Sequence, residues 1–457
     1  MFEKTIKSAH FLIIRYFFKW FFLTFPVAIT IGSMVAFFLW LLNAAIFYRF
    51  AQPWLLYLLP LVGVAIHFLY KLLGKSSEKG NNLIIDEIHE PGAGIPARMG
   101  PLVLLTTVLT HLFGGSAGRE GTAVQIGGSI AQLFAKWFKL NEKEVKTLLM
   151  AGVAAGFGAV FGTPLTGAIF AIEVIALGKL QYNAIIPCLI ASIISDFTVN
   201  IWGIQHTVYH LDFVQSKDFF LSAYLHWDVL LMAKIIGASV AFGLASYLFA
   251  TLVHNVKNIG LSIFKTTWLI PLTGGIIIIL LYWLVGKPDY LSLGVNAEYP
   301  TAVTILSAFN QGGADAMSWL WKTIFTAVTL GTGFKGGEVT PLFYIGATLG
   351  NSLATLLNAP VSLFAALGFI AVFAGATNTP LACTIMGVEL FGGEYILFFA
   401  IACFTAYFFS GHSGIYSSQR IAIPKLFETD FSEGDTLKEV QERRRGYFGK
   451  KLGKYRV

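Results

Sequence analysis

The sequence predicts an all-α membrane protein made of two related halves, with helices that break partway through the membrane. Of its 457 residues, 56% are hydrophobic and 12% are charged, whereas a soluble domain carries about 25% charged residues. A soluble helical protein could not hide so much apolar surface. The string G-x-E-x-T occurs twice within apolar stretches, at 118–122 and at 336–340. Because a carboxylate is costly in such a stretch, two of them at matching places indicate an ion pathway in a transporter.

Apolar runs near the length that crosses a bilayer, about 20 residues, recur along the chain. We expect membrane spans at Phe21–Phe47, Trp54–Leu73, Val229–Val253, Trp268–Val285 and Tyr395–Phe409. Shorter runs interrupted by Gly or Pro predict helices that stop inside the membrane, where irregular backbone must line a cavity or pack in protein. These runs are Leu102–Gly115, Gly152–Thr163 and Pro380–Glu389. The candidate loops are Gly74–Gly80, Glu87–Gly100, Asn141–Lys146 and His206–Lys217.

The two halves are related over more than the five-residue string. Aligned without gaps, Gly152–Val174 and Gly368–Leu390 are identical at eight of 23 positions. The two matches lie 216 and 218 residues apart, and this nearly constant offset indicates one duplicated unit. We therefore predict repeat one at about 20–215 and repeat two at about 228–420. If an odd number of membrane spans separates matching positions of the two repeats, the second repeat has the opposite orientation in the membrane. The sequence leaves that number open.

The charge pattern predicts the orientation of the chain. The formal net charge is +7, and Gln441–Val457 holds seven basic residues against one acidic residue. Both termini are basic, which places both in the cytoplasm. Nucleic-acid binding is the other use of a basic tail, but anionic lipid and topology explain it better. We expect residues 426–457 to form a short basic tail without a regulatory domain. The three cysteines lie in apolar segments and are expected to be core residues, with neither a metal nor another cofactor.

The first glycine-rich break, at 114–122, leads into a helix-like segment. Glycines let the backbone turn, and the first free N–H groups of the following helix form an anion site. Its candidate anion-binding residues are Gly118, Arg119, Gly121 and Thr122. Arg119 is favoured as an anchor of the loop. Glu120 could occupy the anion site itself and also take a proton, as a coupled exchanger requires. The alternative is that Glu120 only caps its own helix.

Four segments, in order, resemble motifs of the CLC family of anion channels and proton-coupled antiporters. GSAGREGTAVQIGGSIAQ resembles its GREGP motif, and FKGGEVTPLFYIGATLG resembles its GGxFxP motif. FGTPLTGAIFAIEV and SGHSGIYSSQRI resemble the segments with the internal glutamates and the pore tyrosine. The resemblance spans roughly 20–425. It implies a CLC-type fold with two inverted-topology repeats, a transport domain at 1–425 and a homodimer in which each subunit has its own pore.

The resemblance also implies roles for individual residues. Glu120 takes the place of the gating glutamate, and Tyr416 that of the inner pore tyrosine. Val339 and Thr340 would supply donors at the start of a half-helix. Asn81, in the string Gly-Asn-Asn at 80–82, replaces the usual pore serine. The similar string Gly-Ile-Pro at 94–96 lies too close to the first break to be that motif.

Departures from the family pattern point to one subfamily. Thr122 stands where proline is usual, Asn81 where serine is usual, and Glu338 where an apolar residue is usual. Val174 follows Glu173 at the place of a second, proton-handling glutamate. Together these features resemble the bacterial fluoride/proton antiporters of the family. They imply a multi-pass protein of the bacterial plasma membrane that exports fluoride against protons, with Glu338 as a proton relay. The alternative for Glu338 is a structural ion pair with Lys335 or Arg119.

Other functions and sites are weaker alternatives. A chloride/proton antiporter or a passive chloride or fluoride channel of the same fold remains open, because chloride accepts hydrogen bonds from the same donors. An intramembrane enzyme would need a nucleophile or an aspartate pair, so we expect no enzymatic activity. The cluster at 86–90 could suggest metal ligands, but solvated residues are favoured. His206 and His210 have the spacing of a zinc-binding helix, but a loop without metal is favoured. His111 is favoured as a core histidine. Glu173 and Glu389 are expected to have structural roles at equivalent helix ends.

Overall fold

The computed structural model describes residues 9–213, 228–426 and 433–443. Within these ranges the chain is almost entirely helical. The helices of the first half are α1 (Ala9–Ala51), α2 (Leu59–Leu69), α3 (Asn81–His89), α4 (Met99–Leu112), α5 (Glu120–Trp137), α6 (Glu142–Phe161), α7 (Pro164–Glu173) and α8 (Ile185–Ile201). Those of the second half are α9 (Val229–Ile263), α10 (Leu269–Val285), α11 (Ser318–Gly331), α12 (Val339–Leu357), α13 (Val361–Thr377), α14 (Pro380–Phe391) and α15 (Ile396–Phe409).

Equivalent helices of the two halves pack in the same way. Helix α5 packs on α6, and α6 packs on α7 and α8; α12, α13, α14 and α15 repeat these contacts in the same order. The long α1 lies against α8, as the long α9 lies against α15. The expected all-α, two-repeat architecture is therefore confirmed. Five helical stretches in the described ranges are long and apolar enough to cross a membrane, and several others have only 10 to 17 residues.

Glycines let the paired helices of each half approach to backbone contact. A Cβ atom on Gly127 of α5 would lie 2.1 Å from the carbonyl oxygen of Gly152 on α6. In the second half, a Cβ atom on Gly346 of α12 would lie 2.0 Å from the carbonyl oxygen of Gly368 on α13. Small residues at such crossings allow close packing in a membrane, where no hydrophobic force drives helices together. The helix that follows each break is held rigidly in this way.

Several of the expected boundaries are wrong. The predicted loop at 141–146 is the first turn of α6, which begins at Glu142 and has 20 residues, so the run Gly152–Thr163 is not an independent short helix. The Asn141 side chain accepts the backbone N–H of Glu144, and Glu144 accepts that of Asn141, at 3.1 Å each. This capping box satisfies the end of a helix that begins in polar sequence.

The second wrong boundary concerns 54–73, which is not one helix. This stretch is a 3₁₀ turn (Pro53–Leu58), then α2, then a π turn (Tyr70–Gly74). The predicted loop at 74–80 is a 3₁₀ turn (Lys75–Lys79), and α3 takes the beginning of the loop predicted at 87–100. The predicted loop at 206–217 has no regular structure up to residue 213 and lies outside the described residues beyond it.

Two glutamates at equivalent helix ends cap each other's helices. Glu173, the last residue of α7, accepts the backbone N–H groups of Leu381 and Ala382 in the first turn of α14, at 3.0 and 2.7 Å. Glu389, near the end of α14, accepts those of Leu165 and Thr166 at the start of α7, at 2.9 and 2.8 Å. Each carboxylate satisfies free donors beside the positive end of a helix dipole. The structural role expected for both residues is confirmed by these contacts.

Replacing Glu173 with Gln should destabilise the fold by about 1–3 kcal/mol, because hydrogen bonds to charged groups contribute this much. Glutamine keeps one acceptor, and its NH₂ group would face an N–H donor of α14. We expect a lower midpoint in thermal unfolding of the detergent-solubilised protein. The matched control is Glu394→Gln, which changes an exposed carboxylate and should leave the midpoint unchanged. Equal midpoints for the two variants would contradict the capping role.

The segment at 433–443 is docked on the transport domain, although the sequence predicts only a polar tail there. Leu437 and Val440 are fully buried against Leu177 and Ile421. The short parallel strands β1 (Ala176–Leu177) and β2 (Arg420–Ile421) join the segment after α7 to this region. The remaining basic residues of the predicted tail, from 444 on, lie outside the described residues.

Candidate functional site

The two glycine-rich breaks meet in the centre of the molecule. The N–H of Gly118 donates to the carbonyl of Gly337 at 2.6 Å, and the N–H of Gly337 donates to that of Gly118 at 2.8 Å. The pairing is antiparallel, as a two-fold relation between inverted repeats requires. A Cβ atom on Gly337 would lie 2.7 Å from the backbone nitrogen of Gly121. The glycines therefore let α5 and α12 begin beside each other.

The Glu120 carboxylate occupies an anion site at the start of α12. One oxygen accepts the backbone N–H of Thr340 at 3.0 Å and that of Arg119 at 3.1 Å. The other accepts the hydroxyl of Thr340 at 2.5 Å and lies 3.7 Å from Nε of Arg119. The side chain is only 1% exposed. Glu120 thus caps the half-helix of the other repeat, in the position that an anion bound at this helix end would take.

A polar cavity lies on one side of this carboxylate. We call it the Asn81 cavity; it has a volume of about 170 Å³. Asn81 enters it from the start of α3, Glu338 from the cap of α12, and Tyr416 from the segment after α15. Nδ2 of Asn81 lies 2.9 Å from the position of a Cβ on Gly121, and Glu338 Oε2 lies 3.8 Å from the same point. The tertiary structure therefore gathers the predicted residues of three distant segments around the two breaks.

On the other side of Glu120 is a small pocket of about 20 Å³, which we call the Arg119 pocket. Glu120, Arg119 and Thr340 line it together with aromatic residues. Phe343 and Phe369 stack there with ring centroids 3.9 Å apart. A larger cavity of about 360 Å³ also has Arg119 in its wall. Glu120 lies in the wall of the Arg119 pocket and Glu338 in the wall of the Asn81 cavity, so the start of α12 lies between two cavities.

The other predicted anion-binding residues lie at the same place but have different partners. The hydroxyl of Thr122 is 2.7 Å from that of Thr107 on α4, so its side chain is engaged with the neighbouring helix. Val339 is 1% exposed, which leaves its backbone N–H as its means of contacting an anion. Oδ1 of Asn81 is buried without a hydrogen-bond partner. A buried amide in that condition indicates a site made for a further polar group.

The ion pairs considered for Glu338 do not form in the part of the chain that the structure describes. Arg119 approaches Glu120 instead. The ammonium of Lys335 lies over the ring of Tyr70, 4.2 Å from its centroid. Glu338 also faces the Asn81 cavity, where a carboxylate can be reached by an ion or a proton. The position of Glu338 therefore favours the relay over the structural pair.

A buried polar network beside the first break was only partly foreseen. Nδ1 of His111 is 3.0 Å from the hydroxyl of Ser292. Lys322, fully buried, donates to the backbone carbonyls of Tyr290 and Ser292 at 3.2 and 2.7 Å. These bonds fasten the loop between α10 and α11 to the core and fit the core role expected for His111. No motif marks Lys322, since its partners are backbone atoms of a distant loop.

The cluster at 86–90 is not simply solvated as expected, because Glu87 is only 8% exposed. His206 and His210 lie in irregular structure, as the loop assignment predicts. Glu87 accepts the backbone N–H groups of Gly92 and Gly94, at 2.8 and 3.1 Å. His89 contacts the carbonyl of Ile175 at 2.8 Å, and Glu90 pairs with Arg420. The guanidinium of Arg420 holds the pKa of the Glu90 carboxyl below its usual value. These side chains fasten α3 and its following loop to the rest of the fold.

Comparison with known proteins identifies the family. The family described as voltage gated chloride channel matches residues 62–411, which is most of the chain. The chain belongs to this family. The resemblance of the four sequence motifs to the CLC family is thereby confirmed.

Relatives within the CLC family include fluoride-handling proteins. A protein of Pseudomonas syringae pv. tomato, described as a chloride/fluoride channel protein, is 45% identical over 415 residues, which cover 90% of this chain and 89% of that protein. A crystal structure of a CLC-type fluoride/proton antiporter matches with a TM-score of 0.81 and 34% identity, over 91% of this chain and 99% of that one. A slow cyanobacterial Cl⁻/H⁺ antiporter matches with a TM-score of 0.69 at 20% identity, over 85% and 94%, which bears on the fold alone.

Proposed function

We propose that this CLC protein is an antiporter that exports fluoride from the cytosol in exchange for protons. The observation that carries the proposal is the carboxylate of Glu120, which fills an anion site at the start of α12 between two access routes. A group that blocks the anion path while charged, and can leave it when protonated, couples the two ions. The similarity to a fluoride/proton antiporter and to a chloride/fluoride channel protein supports fluoride as the anion.

Fluoride binds between the Asn81 cavity and the start of α12. Stripping water from this small anion is costly, so strong donors must replace its hydration shell. The amide of Asn81 offers two N–H donors, and the hydroxyls of Thr340 and Tyr416 offer one each. Backbone N–H groups at 119–122 and of Val339 add the positive ends of α5 and α12; the N–H of Gly118 is not among them, because it donates to the carbonyl of Gly337. Hydrogen bonds to an ionised partner are about twice as strong as neutral ones.

Protons travel through two carboxylates. Glu120 takes a proton from the side of the Arg119 pocket, leaves the N–H of Thr340 and opens the path for the anion. Glu338 then accepts the proton from Glu120 and releases it into the Asn81 cavity, whose wall it forms. The stacked aromatic rings of Phe343 and Phe369 exclude water around Glu120, which strengthens its interactions with charge.

The Asn81 cavity faces the cytosol, and the Arg119 pocket faces the outside. The basic residues at both ends of the chain support this orientation, since Lys and Arg are enriched in cytoplasmic segments. The protein is a multi-pass protein of the bacterial plasma membrane with both termini in the cytoplasm. It is a homodimer with a pore in each subunit. The exposed apolar faces of α8 and α15, which include Phe197 and Phe404, leave surface for contact with a second subunit or with lipid.

A fluoride-electrode recording on purified protein in vesicles tests the proposal. We expect fluoride efflux at a rate well above that of chloride, with proton uptake detected by a pH-sensitive dye in the same vesicles. Chloride efflux as fast as fluoride efflux would instead favour a chloride/proton antiporter. Anion flow without uphill proton movement would favour a passive channel of the same fold.

A further inference from the structure

The two breaks each contain one cation, and the two cations face opposite routes. At the 218-residue offset, Lys335 of the second break corresponds to Ala117 of the first. Arg119 of the first break corresponds to Gly337 of the second. Arg119 lines the pockets on one side of Glu120. Lys335 lines the Asn81 cavity on the other side. The glutamates of the two breaks stand at equivalent positions, but the two cations do not. Lys335 therefore has no counterpart in the first repeat and does not follow from the duplication.

Lys335 also lines a second, larger cavity. This space of about 380 Å³, which we call the basic antechamber, adjoins the Asn81 cavity. The residues that line both are Tyr70, Glu78, Lys257, Leu330, Phe334 and Lys335. The titratable side chains of the basic antechamber come from five of the segments around it. They are His67 from α2, Tyr70 and Lys71 from the π turn, Glu78 from the 3₁₀ turn, Lys257 from α9, and Lys335 from the second break. Three lysines face a single carboxylate, so the cavity has an excess of positive charge.

The position of Lys335 at the junction is fixed by packing. Its ammonium lies 4.2 Å from the centre of the Tyr70 ring, and Tyr70 is 5% exposed. The preceding Phe334 packs so closely on α2 that a Cβ atom at Gly63 would lie 2.6 Å from its ring. A half-buried cation beside an aromatic face is attracted to the electron-rich ring. This ammonium therefore lies in the wall that the two cavities share.

We propose that the basic antechamber is an anion-capture site that loads the transporter, and that Lys335 passes the transported halide from it to the Asn81 cavity. The inference rests on the proposed function. Lys257 and Lys71, which are exposed, raise the local anion concentration, as charges of one sign do in a cleft. Lys335 binds the partly hydrated anion at the junction. Asn81 and the half-helix donors then replace its remaining water.

The test compares fluoride and chloride binding and transport in Lys335→Met, Lys335→Arg and the wild type. Methionine keeps the apolar stem but removes the charge. For a unit charge about 10 Å from the anion at an effective dielectric constant of about 20, we expect the half-saturating fluoride concentration to rise on the order of tenfold. Arginine restores most of it. Lys257→Met has a smaller effect because its charge is screened by solvent. Lys265→Met, an exposed lysine outside the antechamber, has none.

Two readouts keep this inference separable from the proposed function. Fluoride and chloride binding is measured as the concentration that half-saturates the thermal shift of purified protein, and efflux as KM and kcat in vesicles at several ionic strengths. A wild type that binds and moves chloride in preference to fluoride rejects the proposed function, and the Lys335 variants are then compared for chloride. Capture is supported if Lys335→Met raises the half-saturating halide concentration and makes KM less dependent on ionic strength, and if Lys335→Arg restores both values. Unchanged half-saturation, or a fall in kcat that arginine does not restore, overturns it.

Discussion

Glu120→Gln should abolish proton coupling while the anion path remains. Glutamine is nearly the same size but cannot take up and release a proton at this position, and it carries no charge to hold it at the start of α12. The carboxylate now accepts two backbone N–H groups and the hydroxyl of Thr340. An amide nitrogen in its place would face one of those donors and would leave the site. We therefore expect uphill proton movement to fall to the background level and fluoride to flow passively.

The measurement is a pair of traces from one vesicle preparation, with fluoride efflux recorded by electrode and internal pH by dye. Glu142→Gln, which changes an exposed carboxylate at the start of α6, is the control and should keep both signals. If Glu120→Gln still moves protons against their gradient, another group is the gate. The proposed coupling would then be wrong, although the anion site at α12 could remain.

Glu338→Gln should lower the rate of coupled transport about 100-fold or more, the lower range of what a positioned proton-transfer group contributes. Glu338 faces the Asn81 cavity on the opposite side of the α12 start from the pocket that Glu120 lines. Without its carboxylate, the proton from Glu120 has no acceptor on this route. Fluoride binding to purified protein should persist, because Asn81, Thr340 and the half-helix N–H groups are unchanged.

The same variant separates the relay from a structural role. A structural carboxylate predicts a lower midpoint of thermal unfolding, with loss of binding and transport together. A relay predicts an unchanged midpoint and a specific loss of coupled flux. Coupled transport at the wild-type rate would remove Glu338 from the proton route. Because Glu120 and Glu338 act in series, the double variant should lose no more proton flux than Glu120→Gln alone.

The sequence identified the carboxylates because of their cost in an apolar setting. Glu120 and Glu338 stand out within apolar stretches, and the repeat ties each to a glycine-rich break. The same repeat predicted matching roles for Glu173 and Glu389. It could not show that each caps the helix of the other half, since nothing local specifies a partner more than 200 residues away.

The predicted boundaries are wrong where hydropathy alone assigned a segment and a short local signal pointed elsewhere. The start of α6 was predicted as a loop because it is polar, although Asn141 and Glu144 have the spacing of a capping box. The docked segment at 433–443 was missed because its two buried residues, Leu437 and Val440, are too few to give a periodic pattern. The sequence marks Lys335 only as a candidate partner of Glu338. Its position between two cavities depends on α2 and α9, which are distant in sequence.

By itself, the sequence determined that this is a two-repeat membrane protein with protonatable groups at paired helix breaks. Those features follow from composition, spacing and the cost of buried charge, which act locally along the chain. Only the tertiary structure decided that Glu120 caps the half-helix of the opposite repeat, that Asn81 joins it, and that the cations face separate routes. These contacts exist only because the two repeats pack together through the backbone bonds between Gly118 and Gly337. That packing, and not the local sequence, sets which residues of one repeat lie beside those of the other.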